Sequence, residues 1–278
     1  MKRVQIIHVP YDSGYKDYRM GQGPEIILRH LKRERPFDVI EVDVQEPIPL
    51  EIGTSFAVAR QIAGSIRNAV SNGAFPLVLA GNCISCVGTI AGLGPPSPAI
   101  IWLDAHGDFN TPETTDSGFL DGMGLATAVG RCWGRLAATV SGFHPVPEKQ
   151  VVLVGAREFD PMERTLLDTS GVHLIDSQRI RDRGVEAELE PALAKTRILA
   201  ERAYLHIDLD VLDLADARVN EFSVAGGLRP AELLAIVGLV RKHFVLAAAA
   251  ITAYDPAYDQ EGRGVRAAEA IFRELTRN

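Results

Sequence analysis

The chain has no apolar run of about 18 residues or more, which argues against a transmembrane helix. Its 278 residues include only three cysteines, too few for a disulfide framework in a chain of this length. It also lacks an excess of positive charge. The formal net charge is −7 at pH 7, whereas sequence-independent binding to nucleic acid needs a basic surface. The opening residues Met1-Lys2-Arg3-Val4-Gln5 carry no signal-peptide apolar region and no small-residue cleavage site. A reducing cytoplasm is the expected compartment, with neither nucleic acid nor membrane as a partner. No repeat at solenoid spacing and no low-complexity tract is present.

Hydrophobic residues make up 46% of the chain, ample for one large core, and a single domain over 1–278 is expected. Short apolar runs predict strands at Val4–Val9, Asp38–Val42, Phe75–Ala80, Ala99–Asp104, Val151–Val154, Val172–Ile175, Tyr204–Asp208 and Leu246–Ala253. Amphipathic stretches predict helices at Pro24–Leu31, Ser55–Val70, Ser85–Ala91, Pro161–Leu167, Ala187–Ala194, Pro230–Lys242 and Val265–Thr276. Pro24 and Pro230 sit where helix first turns accept proline. Continuous apolar strands separated by helices imply an α/β fold with a parallel sheet covered on both faces.

The run Asp104-Ala105-His106-Gly107-Asp108 closes one of these strands. In extended backbone alternate side chains point the same way, so two carboxylates and an imidazole can converge there. Asp208-Leu209-Asp210 closes a second strand. Aspartates after strands often cap turns, which is the plain reading of any one of them. So many like charges at buried strand ends repel one another without a cation, and the set is read as a divalent-metal site. Ligands of such sheets bind outside the carboxyl ends of the strands. The irregular stretch Phe109–Gly124 follows the first cluster, where a long loop is more often functional.

Asp104 to Pro112 together with Thr114-Thr115-Asp116-Ser117-Gly118 resembles the metal-and-substrate loop of the ureohydrolases, the arginase, agmatinase and formiminoglutamase superfamily. His206 to Asp213 followed by Gly226-Gly227-Leu228 resembles their second metal motif, and Gly21-Gln22-Gly23-Pro24 their helix entry. The resemblance spans most of the chain. It implies a three-layer α/β/α fold around a mostly parallel eight-stranded sheet. It also implies a binuclear Mn²⁺ centre whose activated water attacks a guanidinium or imino carbon. By position, Asp104 and Asp208 are implied to bridge both ions, His106 and Asp210 to complete one, and Asp108 to serve the other. A homo-oligomer, trimer or hexamer, is implied as well.

The chain departs from that pattern at three places. Ala80-Gly81-Asn82-Cys83 stands where the family usually reads Gly-Gly-Asp-His, so Cys83 takes the place of a histidine ligand. Sulfur is softer than imidazole and favours Zn²⁺ or Fe²⁺ over Mn²⁺; a retained ligand, a single-metal site and a degenerate centre stay open. Asp121 replaces a loop histidine, either as a proton-transfer group or as a cap of the helix over 122–129. Ala253 replaces the glutamate expected to grip a guanidinium. Glu221, in a loop expected to face the same pocket, is the candidate substitute, against a plain reading as an exposed loop acid.

Asn110, Thr115 and Ser117 match positions that contact the α-carboxylate of an amino-acid substrate in arginases, and neutral donors suit an anion. Asp160 and Glu163 match the acids that hold its α-amino group; their plain reading is a helix N-terminus with Pro161 at its first position. The expected activity is hydrolysis of a C–N bond in a guanidino or amidino amino acid, with N-hydroxyarginine as one suggestion, and Asp108 or Asp121 moving the proton. Two other readings stand beside it. One is a binding protein on the same fold that does no catalysis. The other is a thiol redox protein using Cys83-Ile84-Ser85-Cys86.

Overall fold

The computed structural model describes residues 3–33, 35–45, 48 and 50–277. Met1 and Lys2, where the N-terminal reading begins, lie outside the described residues. The strands are β1 (Val4–Val9), β2 (Tyr11–Asp12), β3 (Tyr15–Lys16), β4 (Asp38–Glu41), β5 (Phe75–Ala80), β6 (Ala99–Leu103), β7 (Val151–Val154), β8 (His173–Ile175), β9 (Arg202–Asp208) and β10 (Val245–Thr252). β2 and β3 form a small antiparallel hairpin. The other eight form one sheet in the order β4-β1-β5-β10-β9-β6-β7-β8, and every pairing in it is parallel.

Alternation along each strand divides the core in two. Ile6, Leu77, Ile101, Leu205 and Ile251 face one helical layer, and Ile7, Val78, Ile100, Tyr204 and Ala250 face the other. The first layer contains α1 (Gly23–Lys32), the second α2 (Glu51–Ser71) and α3 (Cys86–Leu93). Further helices are α4 (Gly124–Ala128), α5 (Gly134–Ala137), α6 (Pro161–Asp168), α7 (Ser177–Arg183), α8 (Val185–Leu199), α9 (Pro230–His243) and α10 (Arg263–Thr276). The last three of these cover the same face as α1. This is the three-layer α/β/α architecture expected. Among the described residues no helix is long and apolar enough to cross a membrane.

The four central strands β5, β10, β9 and β6 lie side by side, and their carboxyl ends lead directly into Asn82-Cys83, Ala253, Asp208 and Asp104. Chain segments far apart in sequence therefore meet at one edge of the sheet. Arg157, after β7, ties the loops beneath that edge by donating to the carbonyls of Gly155, Asp210, Leu212 and Val224.

Elements start and end within a few residues of expectation, with the β2–β3 hairpin and the helices α5 and α7 added. The Arg179–Arg183 stretch is largely exposed yet anchored: Arg179 and Arg183 pair with the buried Glu188 at 2.7 and 3.2 Å, and Arg181 donates to the Gly227 carbonyl. A buried carboxylate needs such partners.

Gly23 and Pro24 start α1 against the loop after β10, and a Cβ on Gly23 would collide with the Tyr254 carbonyl oxygen. Gly23→Ala should cost about 1–3 kcal/mol through overpacking. Thermal unfolding should show this as a fall of roughly 2–4 °C per kcal/mol; an unchanged midpoint contradicts the close approach.

Candidate metal centre

Each aspartate at the sheet edge is aimed by a backbone N–H two residues ahead or across a loop. His106 N donates to Asp104 Oδ1 at 2.7 Å, and Asp210 N donates to Asp208 Oδ1 at 2.8 Å. Ala105 N and Asn220 Nδ2 donate to the two oxygens of Asp210, each at 3.2 Å. Trp102 Nε1 donates to Asp104 Oδ2 at 2.9 Å. The turn-capping reading of these acids is therefore true, and it leaves each with an oxygen lone pair to offer elsewhere.

Two ligand groups result. Cys83, Asp104 and Asp208 bring one donor atom each within 4.8 Å of one another, and so do Asp104, His106 and Asp210. Asp104 belongs to both. His106 Nδ1 lies 3.3 Å from Asp104 and 3.4 Å from Asp210, and Cys83 Sγ lies 3.1 Å from Asp208 Oδ2. Asp108 stands outside both groups, in left-handed backbone at φ 47°, a conformation aspartate tolerates. Its Oδ2 is buried without a hydrogen-bond partner.

The electrostatics are those of crowded acids. Burial pushes Asp108 and Asp208 well above the usual carboxylate range, and Asp104, near both, adds repulsion. Burial and the neighbouring Asp210 raise Asp104 too. Burial works against a charged His106, but Asp210 and Asp104 hold its ring well above its ordinary value. Burial would also raise Asp210, yet His106 beside it draws it down to about 2. One imidazole thus neutralises one carboxylate and leaves three raised. The orphaned Asp108 oxygen and a donor set of carboxylates, imidazole and thiol fit divalent ions of the Mn, Fe, Co and Zn kind.

Above these residues lies a cavity of about 290 Å³, lined among others by Cys83, Asp108, Asn110, Asp121, Phe119, Phe222 and Ala253. Thr115, Ser117, Asp160 and Glu163 line it too. Thr115 and Ser117 hydroxyls accept from Gly118 N and Phe119 N. Asp160 Oδ2 accepts from Asn110 Nδ2 and Asp116 N, both at 3.0 Å. Phe119 and Phe222 stack at 5.5 Å.

Two expectations are corrected, and the capping reading of Asp160 and Glu163 is borne out. Glu221 does not line the cavity; Arg19 holds it at 2.7 Å while also reaching the buried Asp12 at 3.3 Å. Glu163 gives both oxygens to backbone, Oε1 to Phe109 N and Oε2 to Asp160 N, so it fixes the start of α6 and the loop beside it. Asp121 does not cap its own helix. Its Oδ1 accepts from Ile84 N at 2.8 Å and its Oδ2 from Asn82 Nδ2 at 2.9 Å, and burial raises it to about 8.

Cys86 turns away from the cavity toward the Gly124 carbonyl, and all three cysteines are free and buried. Sequence reading missed Trp102, Tyr204, Thr252 and Asn220, which brace the ligands. The strand alternation that exposed Asp104 and Asp208 also points back to Trp102 and to His206 and Tyr204.

A parallel eight-stranded sheet between two helical layers, with two candidate ligand groups on its carboxyl edge, defines the class as an α/β/α fold with its site at the strand ends. The chain belongs to the arginase family, which it matches over residues 2–277. It is 27% identical to the arginase of Bacillus caldovelox over 99% of this chain and 98% of that one. The crystal structure of that arginase superposes with a TM-score of 0.90, covering 100% of this chain and 99% of the other. It is 32% identical to the arginase of Brevibacillus brevis over 77% of this chain and 73% of the relative. An N(omega)-hydroxy-L-arginine amidinohydrolase of Streptomyces lavendulae is 35% identical over 51% of this chain and 46% of its own. Amidinohydrolase activity is the function this membership supports.

The raised acids give a pH prediction. From about pH 4 to about 8 the folded protein retains a proton on Asp121 that the unfolded chain releases, and burial raises Asp108 and Asp208 in the same direction. Stability of chelator-treated protein therefore falls as pH rises through that window. The melting midpoint should drop on the order of 5 °C from pH 5 to 8, and added Mn²⁺ or Co²⁺ should raise it more at pH 8 than at pH 5. A metal response independent of pH contradicts the arrangement.

Proposed function

We propose that this protein is a metal-dependent amidinohydrolase of a guanidino or amidino α-amino acid. The observation that carries the reading is the pair of ligand groups sharing Asp104 at the base of an acidic cavity. Two divalent ions are proposed, Mn²⁺ first, with Fe²⁺ or Zn²⁺ favoured comparatively by Cys83. Cys83, Asp104 and Asp208 would hold one, and Asp104, His106 and Asp210 the other, with Asp108 offering its unpartnered Oδ2. Such ions supply a water of lowered pKa and charge at the attacked carbon.

The chain's own groups do the rest. Thr115 and Ser117 each accept a backbone N–H, which leaves their hydroxyl protons to face a substrate carboxylate. Asp160, held by Asn110, Asp116 and the capping bond from the Glu163 backbone, turns its remaining lone pairs to an α-ammonium group. Glu163 positions Asp160 and takes no substrate contact in this reading. Phe119 and Phe222 close one wall against water. Asp121, raised by burial to about 8, would hold a proton at neutral pH and pass it to the leaving amine.

Ala253 lines the cavity where a guanidinium-gripping acid is expected, and Glu221 is occupied by Arg19. A modified guanidine fits this better than plain arginine, and the partial likeness to the N(omega)-hydroxy-L-arginine enzyme supports it. A cytoplasmic homo-oligomer of three or six chains completes the proposal.

The test is metal-stripped protein restored with Mn²⁺, Fe²⁺ or Co²⁺ and offered arginine, N-hydroxyarginine, agmatine, guanidinobutyrate and formiminoglutamate, with urea, hydroxyurea and formamide measured. A guanidino α-amino acid should turn over only with metal, and Asp208→Ala should abolish it. Asp121→Asn should lower kcat about 10²-fold, and Asp160→Asn should act mainly on KM. Metal binding with no turnover of any compound supports the binding-protein reading. Activity indifferent to chelators but lost in Cys83→Ser and Cys86→Ser supports the redox one.

A further inference from the structure

Behind the cavity lies a buried polar chain that the reaction itself does not use. Tyr204, His206 and Asp208 point to the same face of β9. Thr252 pairs in register with Asp208, and Trp102 with His206. The His206 ring stacks on Trp102 with centroids 3.6 Å apart and planes within 10°. Tyr204 Oη lies 2.7 Å from His206 Nδ1, Thr252 Oγ1 lies 3.3 Å from His206 Nε2, and Cys83 Sγ lies 3.1 Å from Thr252 Oγ1. Tyr204, His206 and Thr252 are wholly buried, so each proton in the chain must be matched to an acceptor.

One matching of donors to acceptors places a proton behind the sulfur. The neutral His206 ring, stacked on Trp102 and bonded only to Tyr204 and Thr252, carries one N–H. With the Tyr204 phenol as donor to Nδ1, the ring proton sits on Nε2, directed at Thr252 Oγ1. The Thr252 hydroxyl then has its own proton to give to the sulfur or to the Ile207 carbonyl at 3.3 Å. We propose that Thr252, oriented by the His206–Tyr204 pair, is a positioning residue that donates to Cys83 Sγ and sets this sulfur as a ligand beside Asp104 and Asp208. The inference rests on the metal-centre reading above. It explains how a thiol among acids offers its lone pairs toward a cation: a donor behind the sulfur offsets the field of Asp208 in front of it.

Cobalt titration of the full-length protein tests this, because a Co²⁺–thiolate bond gives a near-ultraviolet charge-transfer band that oxygen and nitrogen ligands do not. Wild type should show the band, and Cys83→Ser should lose it while still binding cobalt. Thr252→Val should weaken the band-forming affinity about tenfold or more, Thr252→Ser should restore it, and Tyr204→Phe should weaken it in the same direction. The visible d–d absorption of cobalt reports total binding at both ligand groups, against which the Cys83-specific band is read, and circular dichroism shows that each variant is folded. A folded Thr252→Val or Tyr204→Phe protein with wild-type affinity for the band overturns the proposal. Wild-type protein that binds cobalt without the band overturns it and leaves a metal centre without Cys83. Failure to bind cobalt at all removes the underlying reading as well.

Discussion

Repulsion between buried carboxylates governs the architecture of the site. Asp104, Asp108, Asp208 and Asp210 are all nearly inaccessible to solvent and close together, and His106 compensates only part of their charge. Removing such groups from water without a cation is costly, so the fold must either protonate them or bind an ion in their midst. The cavity above them and the unpartnered Asp108 oxygen are the physical form of that demand.

The sheet makes this crowding possible. Parallel strands end on one edge, and the four central ones deliver Cys83, Ala253, Asp208 and Asp104 side by side. Backbone N–H groups, Asn220 and Trp102 hold the carboxylates in place before any ligand arrives, which is preorganisation rather than adaptation. Arg157 locks the loops below, and Asp160 and Asn110 shape the rim. Each of these braces uses a hydrogen bond that the sequence cannot reveal by spacing alone.

What could be read from the sequence follows from that distinction. Strands were visible because they are buried on both sides and read as unbroken apolar runs. The ligands were visible because period-two alternation places Asp104, His106 and Asp108, and likewise Asp208 and Asp210, after such runs. Glu221 was misplaced because its partner Arg19 comes from a loop some two hundred positions away. Glu163 fits both a substrate-contact and a helix-start pattern, and the bonds to Phe109 N and Asp160 N bear out the second. Trp102, Tyr204 and Thr252 read as ordinary core residues until cross-strand register set them against His206 and Cys83.

Anomalous diffraction from crystals soaked in Mn²⁺ measures the central claim most directly. The account predicts two peaks about 3.5–4 Å apart, with Asp104 reaching both and the acids keeping their positions. Absence of anomalous density at saturating metal, with the aspartate side chains turned apart into solvent, would contradict it.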